Sequence, residues 1–256
     1  MTKRKSLFTI VFSFVLILCC SFIFTACGIP SNEDNGGNDD QQTSEYTDNL
    51  NTAAQIKSAI GDVYYVTVDA IVSSSESDDE EVITYTIVSN GTWFWGDIDG
   101  SVYFIQKQDN TYTSYYYDEE TDTYTESYSF TPDDESEMVS FDLSVLLAGS
   151  LFNYTTSINY TSKQNKTLLG RNAVEYTQHE SYNVPGYASF SWDETIVIDS
   201  ATGACLKHSV SGSAAGGGQS ASAAYSFECT KFVVGASNDI TTKINIEIAK
   251  IAQNQD

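Results

Sequence analysis

Apolar positions separate the chain into three parts. Residues 7–24 form an uncharged, largely apolar run, whereas residues 28–48 have no periodic apolar pattern and are rich in Asn, Asp, Gly and Gln. Beyond them, short segments alternate apolar and polar residues, as Ile83, Tyr85 and Ile87 do, which is typical of β-strands with one buried side. We therefore predict an apolar leader, then a flexible tether with too little apolar surface to offset its ordering entropy, then a β-rich domain.

Strand-like segments fill most of residues 49–256, which we interpret as one mainly β (α+β) domain with an antiparallel sheet. The predicted strands are 63–73, 81–95, 101–108, 111–117, 123–130, 154–160, 172–181, 188–199, 205–211 and 223–234. The small, polar segment 213–223 predicts a flexible loop. Residues 240–251 suit a strand or a helix, and the alternation of Ile244, Ile246 and Ile248 favours a strand.

Two segments have helical signals instead. Residues 48–61 place Leu50, Ile56 and Ile60 roughly on one face, and Gly61 is a stop signal. Thr131 followed by Pro132 starts a second, Leu-rich helical region that extends to residue 152 and packs on the sheet. We expect this region to cover one mouth of a ligand cavity. The predicted cavity residues are Leu143, Leu146, Leu147, Leu151 and Phe152.

Two hairpins have recognisable turns. The segment Asp97-Ile98-Asp99-Gly100 resembles half of a calcium loop, but the later ligand positions are missing, so we predict a hairpin turn. In the next hairpin a centre at Glu120 would set Tyr112 against Tyr128 and Tyr116 against Tyr124. Such pairs stabilise a hairpin by roughly 0.2–1 kcal/mol each.

The N-terminal region has the pattern of an export signal. Residues 1–26 combine Lys3, Arg4 and Lys5 with the apolar run and end at the small residue Ala26, directly before Cys27. The segment 24–28, Phe-Thr-Ala-Cys-Gly, resembles a lipobox, although Phe24 stands where Leu is usual. This predicts a lipoprotein signal peptide over 1–26, and a lipidated Cys27 that begins a tether over 27–48. A plain signal peptide or a single-span anchor is the alternative, and each places the domain outside the cytoplasm.

The charge balance excludes one class of partner. The net charge is −23, and removal of three cationic residues with the signal peptide makes it −26. Such a surface is repelled by phosphate backbones and anionic lipid headgroups. We therefore expect no nucleic acid partner, and a membrane contact through the lipid anchor alone.

Two cysteines, Cys205 and Cys229, would stay in the folded domain. A hairpin centred at Gly217 would place them directly opposite each other, at a separation that a disulfide can bridge. A slip of one residue would put them on opposite faces. Because Leu206 and Phe227 indicate different registers, the disulfide stays a hypothesis.

Catalytic and metal-binding motifs are missing from the sequence. It has no Gly-x-Ser-x-Gly elbow, no phosphate-binding glycine loop and no His-Glu-x-x-His motif, and His179 and His208 are its two histidines. We therefore predict a non-enzymatic protein without a catalytic residue, metal or cofactor. A carboxylate-based hydrolase remains the enzymatic alternative in so acidic a chain.

The second half of the domain resembles a known family. The segments 168–176 (LLGRNAVEY), 196–199 (IVID), 202–203 (TG) and 206–207 (LK) resemble strand and turn patterns of the LolA/LolB-like fold, which includes mycobacterial glycolipid carriers. The resemblance implies a strongly curved, partly closed antiparallel sheet with helices on its concave face. It also implies binding of an acyl chain or other hydrophobic ligand, or of a lipidated partner, but it carries over no individual binding residue.

A second hypothesis is a surface interaction or sensor module without a small-molecule ligand. It predicts an exposed aromatic patch near residues 115–117 or at Trp93 and Trp95. The hydrolase alternative predicts convergent carboxylates in a cleft.

The lipobox gives the first testable prediction. We expect Cys27→Ser to abolish metabolic labelling with a radioactive fatty acid, since the acceptor thiol is lost, whereas Cys205→Ser should label like the natural chain. Undiminished labelling of Cys27→Ser would show that Cys27 is not the acceptor.

Overall fold

The computed structural model describes residues 46–74, 77–131, 157–185 and 188–252. These residues form thirteen β-strands and two α-helices. The elements are β1 (Tyr46–Asn49), α1 (Ala53–Ile60), β2 (Val63–Ser74), β3 (Ser77–Asn90), β4 (Trp93–Ile98), β5 (Ser101–Gln108), β6 (Thr111–Asp118), β7 (Thr123–Phe130), β8 (Ser157–Tyr160), β9 (Ser162–Leu168), β10 (Arg171–Val184), β11 (Ala188–Asp199), β12 (Cys205–Gly216), β13 (Gln219–Val234) and α2 (Asn238–Ala252). The predicted signal peptide, Cys27 and the Leu-rich region lie outside the described residues. No helix among those described is long and apolar enough to span a bilayer.

Eleven strands form one antiparallel sheet in the order β7-β6-β5-β4-β3-β2-β13-β12-β11-β10-β9. Strands β2–β7 form one meander and β9–β13 another, and the pairing of β2 with β13 joins them. Strands β7 and β9 are the edges, so the sheet is not closed, while β1 and β8 form a separate two-stranded sheet. The prediction of a mainly β domain with an antiparallel sheet is confirmed.

The sheet has two differently covered faces. Consecutive residues of a strand point to opposite faces, and in β2 Val66 joins one core cluster while Tyr65 packs against another. We name the side of Val66 the front face and the side of Tyr65 the back face. Helix α1 contributes Ile56 to the front cluster, and α2 contributes Ile244 to the back cluster. The two described helices therefore lie on opposite faces of the sheet.

Helix α1 confirms a helix that ends at Gly61, but it begins at Ala53 instead of residue 48, because residues 48 and 49 belong to β1. Thr52 caps its N-terminus, accepting a hydrogen bond from the Gln55 amide while the Gln55 side chain accepts one from the Thr52 amide. Gly61 ends the helix at φ 70° and donates to the Lys57 carbonyl at 2.9 Å. The buried residues Ile56 and Ile60 are one turn apart, as an amphipathic helix requires.

Helix α2 corrects the strand predicted for residues 240–251. Ile240 and Ile244 are buried and Ile248 is half-buried, whereas Ile246 is 52% exposed, so the helical period prevails over the alternation. Ser237 caps the helix by accepting from the Ile240 amide at 3.3 Å.

A buried polar network fixes α2 to the back face. The Trp95 indole donates to the Tyr124 hydroxyl at 3.0 Å, and that hydroxyl donates to the Glu247 carboxylate at 2.9 Å. Lys243 bonds the same carboxylate at 2.5 Å and lies 3.4 Å from the centre of the Trp95 ring. Burial raises the pKa of Glu247, but hydrogen bonds from Lys243 and Tyr124 outweigh it, so the net pKa is lowered. The carboxylate is thereby held as a structural anion.

Several predicted boundaries differ from the structure. The predicted strand 81–95 is two strands, because Asn90 accepts hydrogen bonds from the amides of Thr92 and Trp93 in a turn. The predicted loop 213–223 is mostly strand, with the turn confined to Gly217 and Gly218, both at positive φ. Strand β9 was not predicted because its polar sequence lacks an alternating pattern. Strand β1 includes residues 46–48, which the sequence pattern assigned to the tether.

The tyrosine hairpin has a different register from the predicted one. A four-residue turn with Asp122 at φ 53° moves the centre, so Tyr117 pairs with Tyr124. A bulge then sets Tyr112 opposite Phe130, with ring centres 5.5 Å apart. The predicted turn at residues 97–100 is confirmed, since the Asp97 carboxylate accepts from the Gly100 amide at 2.9 Å.

Candidate ligand-binding face

The predicted lipidation site Cys27 and the predicted cavity residues lie outside the described residues. Those cavity residues are Leu143, Leu146, Leu147, Leu151 and Phe152. Their roles therefore stay predictions from the sequence, and the site below is built from the described residues of the sheet.

The two cysteines are free thiols, so the hypothesised disulfide is not formed in the structure. The β12–β13 register pairs Lys207 with Glu228, which centres the hairpin between Gly217 and Gly218, not at Gly217. Cys205 and Cys229 nevertheless both lie in the front core cluster, because β12 has a bulge next to Cys205. Burial raises the pKa of both thiols strongly, which makes them poor nucleophiles.

The residues that carry the family resemblance form a structural clasp. Arg171 donates two hydrogen bonds to the Asp199 carboxylate, at 2.8 and 2.9 Å, and Asp199 also accepts from the Thr202 amide and hydroxyl. A Cβ at Gly203 would lie 2.3 Å from the Asn51 amide nitrogen, so only glycine fits this approach. The clasp thus ties β10, the β11–β12 turn and the segment before α1 together.

The front face of β10–β13 changes gradually from core to exposed apolar surface. Near the Asp199 turn, Ile196 and Phe227 are buried. Further along the same face, His208, Val210 and Trp192 are half-buried. Towards the strand ends Phe190 and Tyr182 are each 41% exposed. Aromatic side chains this exposed on a face continuous with the core indicate a surface that could be covered by another molecule.

Small residues form the floor of a groove on this face. The register pairs Gly212 with Ala223, and Ala214 with Ala221, on the front face of β12 and β13. Strand β11 places Trp192 opposite Gly212, and Phe190 opposite Ala214. The aromatic side chains thus form a wall beside a floor that has almost no side chains.

Glycine at position 212 keeps the inner part of this groove open. A Cβ at Gly212 would contact the Trp192 Cβ at 3.5 Å and the Ser191 carbonyl oxygen at 3.4 Å. These are ordinary van der Waals distances, so a side chain at this position would fit the backbone but would fill the space beside Trp192.

The groove ends in an open cleft of about 700 Å³ at the tips of the strands. The cleft is lined by Ala188, Ala214, Ala215, Gly216, Gln219, Ser220 and Ala221.

A polar pair stands at the inner end of the groove. The His208 Nε2 atom lies 2.7 Å from the Glu194 carboxylate, and the two side chains are 25% and 26% exposed. The imidazole packs edge-on to Tyr225 and Phe227, with ring centres 6.2 and 6.1 Å away. Burial raises the pKa of the half-buried Tyr225 to about 12. No motif in the sequence marks His208, and only the strand register shows its place beside the groove.

The buried carboxylates are engaged in structural ion pairs. A hydrogen bond from Lys166 lowers the pKa of Glu175. Burial opposes ionisation of Asp199, but the bonds from Arg171 and Thr202 outweigh it and lower its pKa. A glycosidase-type acid needs a raised pKa and a second carboxylate nearby, which neither residue provides. No group of three metal-ligating side chains occurs within the described ranges.

Exposed tyrosines lie on the front face of the outer strands. Tyr103, Tyr116 and Tyr128 are 44%, 69% and 50% exposed. The interaction hypothesis placed an aromatic patch near residues 115–117, which fits Tyr116. Its other location is wrong for Trp95, which is 7% exposed and bonded within the back core.

Comparison with known proteins adds little to this description. No family model matches the chain, and no curated protein matches its sequence. A similar solved structure is a DUF1329 family protein from Desulfovibrio piger, with 7% sequence identity, covering 73% of this chain and 92% of the other. The TM-score of 0.23 means that the two chains superpose poorly, so this likeness carries no argument about function.

The Arg171–Asp199 clasp yields a prediction about acid stability. Asp199 is 1% exposed, and loss of its charge leaves Arg171 unpaired, so Asp199→Asn should lower the free energy of unfolding by about 3 kcal/mol at pH 7. The folded-state pKa of Asp199 lies below its ordinary value of 3.8, so its contribution is complete above that value and is lost as the pH falls through the folded-state pKa. The difference between the two chains should therefore narrow below about pH 4.

Urea unfolding followed by circular dichroism at several pH values measures this difference. Asp193→Asn is the matched control, because the Asp193 side chain is 70% exposed and its removal should cost less than about 1 kcal/mol. A difference for Asp199→Asn that stays constant down to pH 2 would contradict the ionic account of the clasp.

Proposed function

We propose that this protein is a lipid-anchored lipoprotein on the extracytoplasmic face of a cell membrane, whose β domain binds a hydrophobic ligand without catalysing a reaction. The ligand would be an acyl chain, a lipid or the lipid of a modified partner. Cys27 would carry the anchor, as the lipobox resemblance implies.

The observation that carries the proposal is the groove on the front face. Among the described residues, the core of this face ends in a floor of small residues beside the half-buried Trp192 and the exposed Phe190. A floor without side chains leaves room for an extended chain to lie against backbone and aromatic rings. Apolar surface with few polar groups is the usual composition of a lipid or small-molecule site.

The expected affinity suits exchange rather than permanent capture. Complete burial of a twelve-carbon chain would gain about 10 kcal/mol at about 0.8 kcal/mol per CH₂. Association costs several kcal/mol, and an open groove buries only part of the chain, so we expect dissociation constants in the micromolar range. A tethered protein that binds in this way would act as a receiver, sensor or local chaperone, because the anchor prevents it from diffusing as a shuttle.

As the LolA/LolB-like resemblance implies, the proposal includes a strongly curved sheet with helices on its concave face. The open eleven-stranded antiparallel sheet is compatible with such a fold. The residues Leu143, Leu146, Leu147, Leu151 and Phe152 remain a sequence-based proposal for further ligand contacts.

A second candidate function is a surface interaction module. The observation in its favour is the group of exposed tyrosines, Tyr103, Tyr116 and Tyr128, on the outer strands. Because these residues lie on β5–β7, at the other end of the strand order from the groove on β10–β13, substitutions in one surface should leave the other unaffected.

Filling the groove tests the lead proposal. We expect the mature chain to enhance the fluorescence of N-phenyl-1-naphthylamine, an uncharged apolar probe. Gly212→Leu should weaken this binding about tenfold or more, because the new side chain occupies the space beside Trp192.

Ser211→Leu is the matched control, since it places the same side chain on the exposed back face of β12 and should bind like the natural chain. Circular dichroism verifies that both variants fold. Equal probe binding by a folded Gly212→Leu variant and the natural chain would rule out this groove as the site.

A further inference from the structure

Charged and hydrogen-bonding groups at the inner end of the groove are mostly acceptors. On the front face, the register sets Glu194 opposite Gln178 and Val210, and Glu180 opposite Trp192. The Gln178 amide nitrogen already donates to the Glu180 carboxylate. Two carboxylates therefore face this end of the groove, and the nearest amide donor is directed to one of them.

The His208–Glu194 pair adds acceptors as well. The Glu194 carboxylate lies 2.7 Å from the His208 Nε2 atom, and its further lone pairs can accept hydrogen bonds from a ligand. A ligand group at this position therefore meets atoms that accept hydrogen bonds and carry negative charge.

The cations near this region are paired elsewhere. On the front face of β9, the Lys163 ammonium bonds the Asp48 carboxylate, and this bond lowers the pKa of Asp48. Lys207 neighbours His208 in sequence, but it lies on the back face and bonds Glu228. Neither lysine side chain is directed to the groove, so a carboxylate or phosphate placed there would face like charges without a compensating cation.

The length of the groove suits one acyl chain. His208 and Gly216 lie at its two ends on β12, separated by about 26 Å of strand at about 3.3 Å per residue. The polar pair is at the inner end and the cleft is at the outer end, so an amphipath can lie along the floor with its head beside His208.

We propose that the groove selects single-chain amphipaths whose head groups donate hydrogen bonds, hydroxyl or ammonium, and that it discriminates against carboxylate and phosphate heads. Glu194 and His208 receive the head, and the floor from Gly212 to Ala214 receives the chain. This selectivity rests on the proposed function, because it requires that the groove hold an apolar chain.

Competition between three amphipaths of equal chain length tests the selectivity. Monolauroylglycerol, dodecylamine and laurate, each below its micelle-forming concentration, would displace N-phenyl-1-naphthylamine from the mature chain at pH 7.5. We expect monolauroylglycerol and dodecylamine to bind at least about tenfold more tightly than laurate. Monolauroylglycerol donates through hydroxyl groups and dodecylamine through an ammonium group, so their affinities show which of the two donors the groove prefers.

Removal of the Glu194 charge tests whether this residue causes the head-group selectivity. Glu194→Gln should reduce the difference in affinity between monolauroylglycerol and laurate by about fivefold, and it should weaken the binding of dodecylamine. Asp193→Asn removes the same charge from the neighbouring position on the back face. The relative affinities of this variant for the three amphipaths should therefore equal those of the natural chain.

The outcomes separate this inference from the proposed function. If the naphthylamine probe binds in the groove but laurate competes as well as monolauroylglycerol, the head-group selectivity is overturned and the proposed function stands. If Glu194→Gln has the same relative affinities for the three amphipaths as the natural chain, the role of Glu194 is overturned and the proposed function stands. If the naphthylamine probe does not bind, the proposed function fails and the selectivity fails with it.

Discussion

Residues 64–74 of β2 pair with residues 223–234 of β13, and this ladder joins two sequential meanders into one sheet. Its partners are distant in sequence: the Thr230 hydroxyl donates to the Thr67 carbonyl across 163 positions. Closing such a loop costs about 4–5 kcal/mol, because the cost grows only with the logarithm of loop length. Fully burying a side chain such as Val66 or Phe227 gains about 2–3 kcal/mol, so a few of the core residues along the ladder offset the closure.

The two faces of this sheet carry separate core clusters and are covered by different elements. Among the described residues, α2 covers the back face, where Tyr124 and Lys243 hold its Glu247, and α1 and the β1–β8 pair cover the front core cluster. Beyond the Arg171–Asp199 clasp the front face of β10–β13 continues without a described covering element. Stability is thus concentrated at one end of these strands, and the other end keeps an apolar surface that supports the proposed binding function.

The sequence predicted those elements whose signals are local. The Thr52 cap and the Gly61 stop marked α1, and the alternation in most strands marked the sheet. Helix α2 was missed because Ile244, Ile246 and Ile248 alternate, although Ser237 offered a cap and the tertiary contacts of Ile240 and Ile244 decided the outcome. The register of the tyrosine hairpin depended on the conformation of Asp122, which no pattern of side chains specifies.

The groove could not be predicted for a physical reason. Glycine, serine and alanine at 213–223 have low strand propensity, so this segment was interpreted as a loop. Pairing with β11 overrides that propensity, and the same lack of side chains then becomes the floor of the groove. The polar pair of His208 and Glu194 also arises only from register, since the two residues are 14 positions apart on neighbouring strands.

Mass spectrometry of lipids extracted from the mature chain, purified from its own host without added detergent, tests the central claim most directly. If the groove binds a hydrophobic ligand, the natural chain should carry a noncovalently bound single-chain lipid, and Gly212→Leu should carry much less of it. Equal lipid content in the two folded chains, or no lipid in the natural chain, would contradict the account.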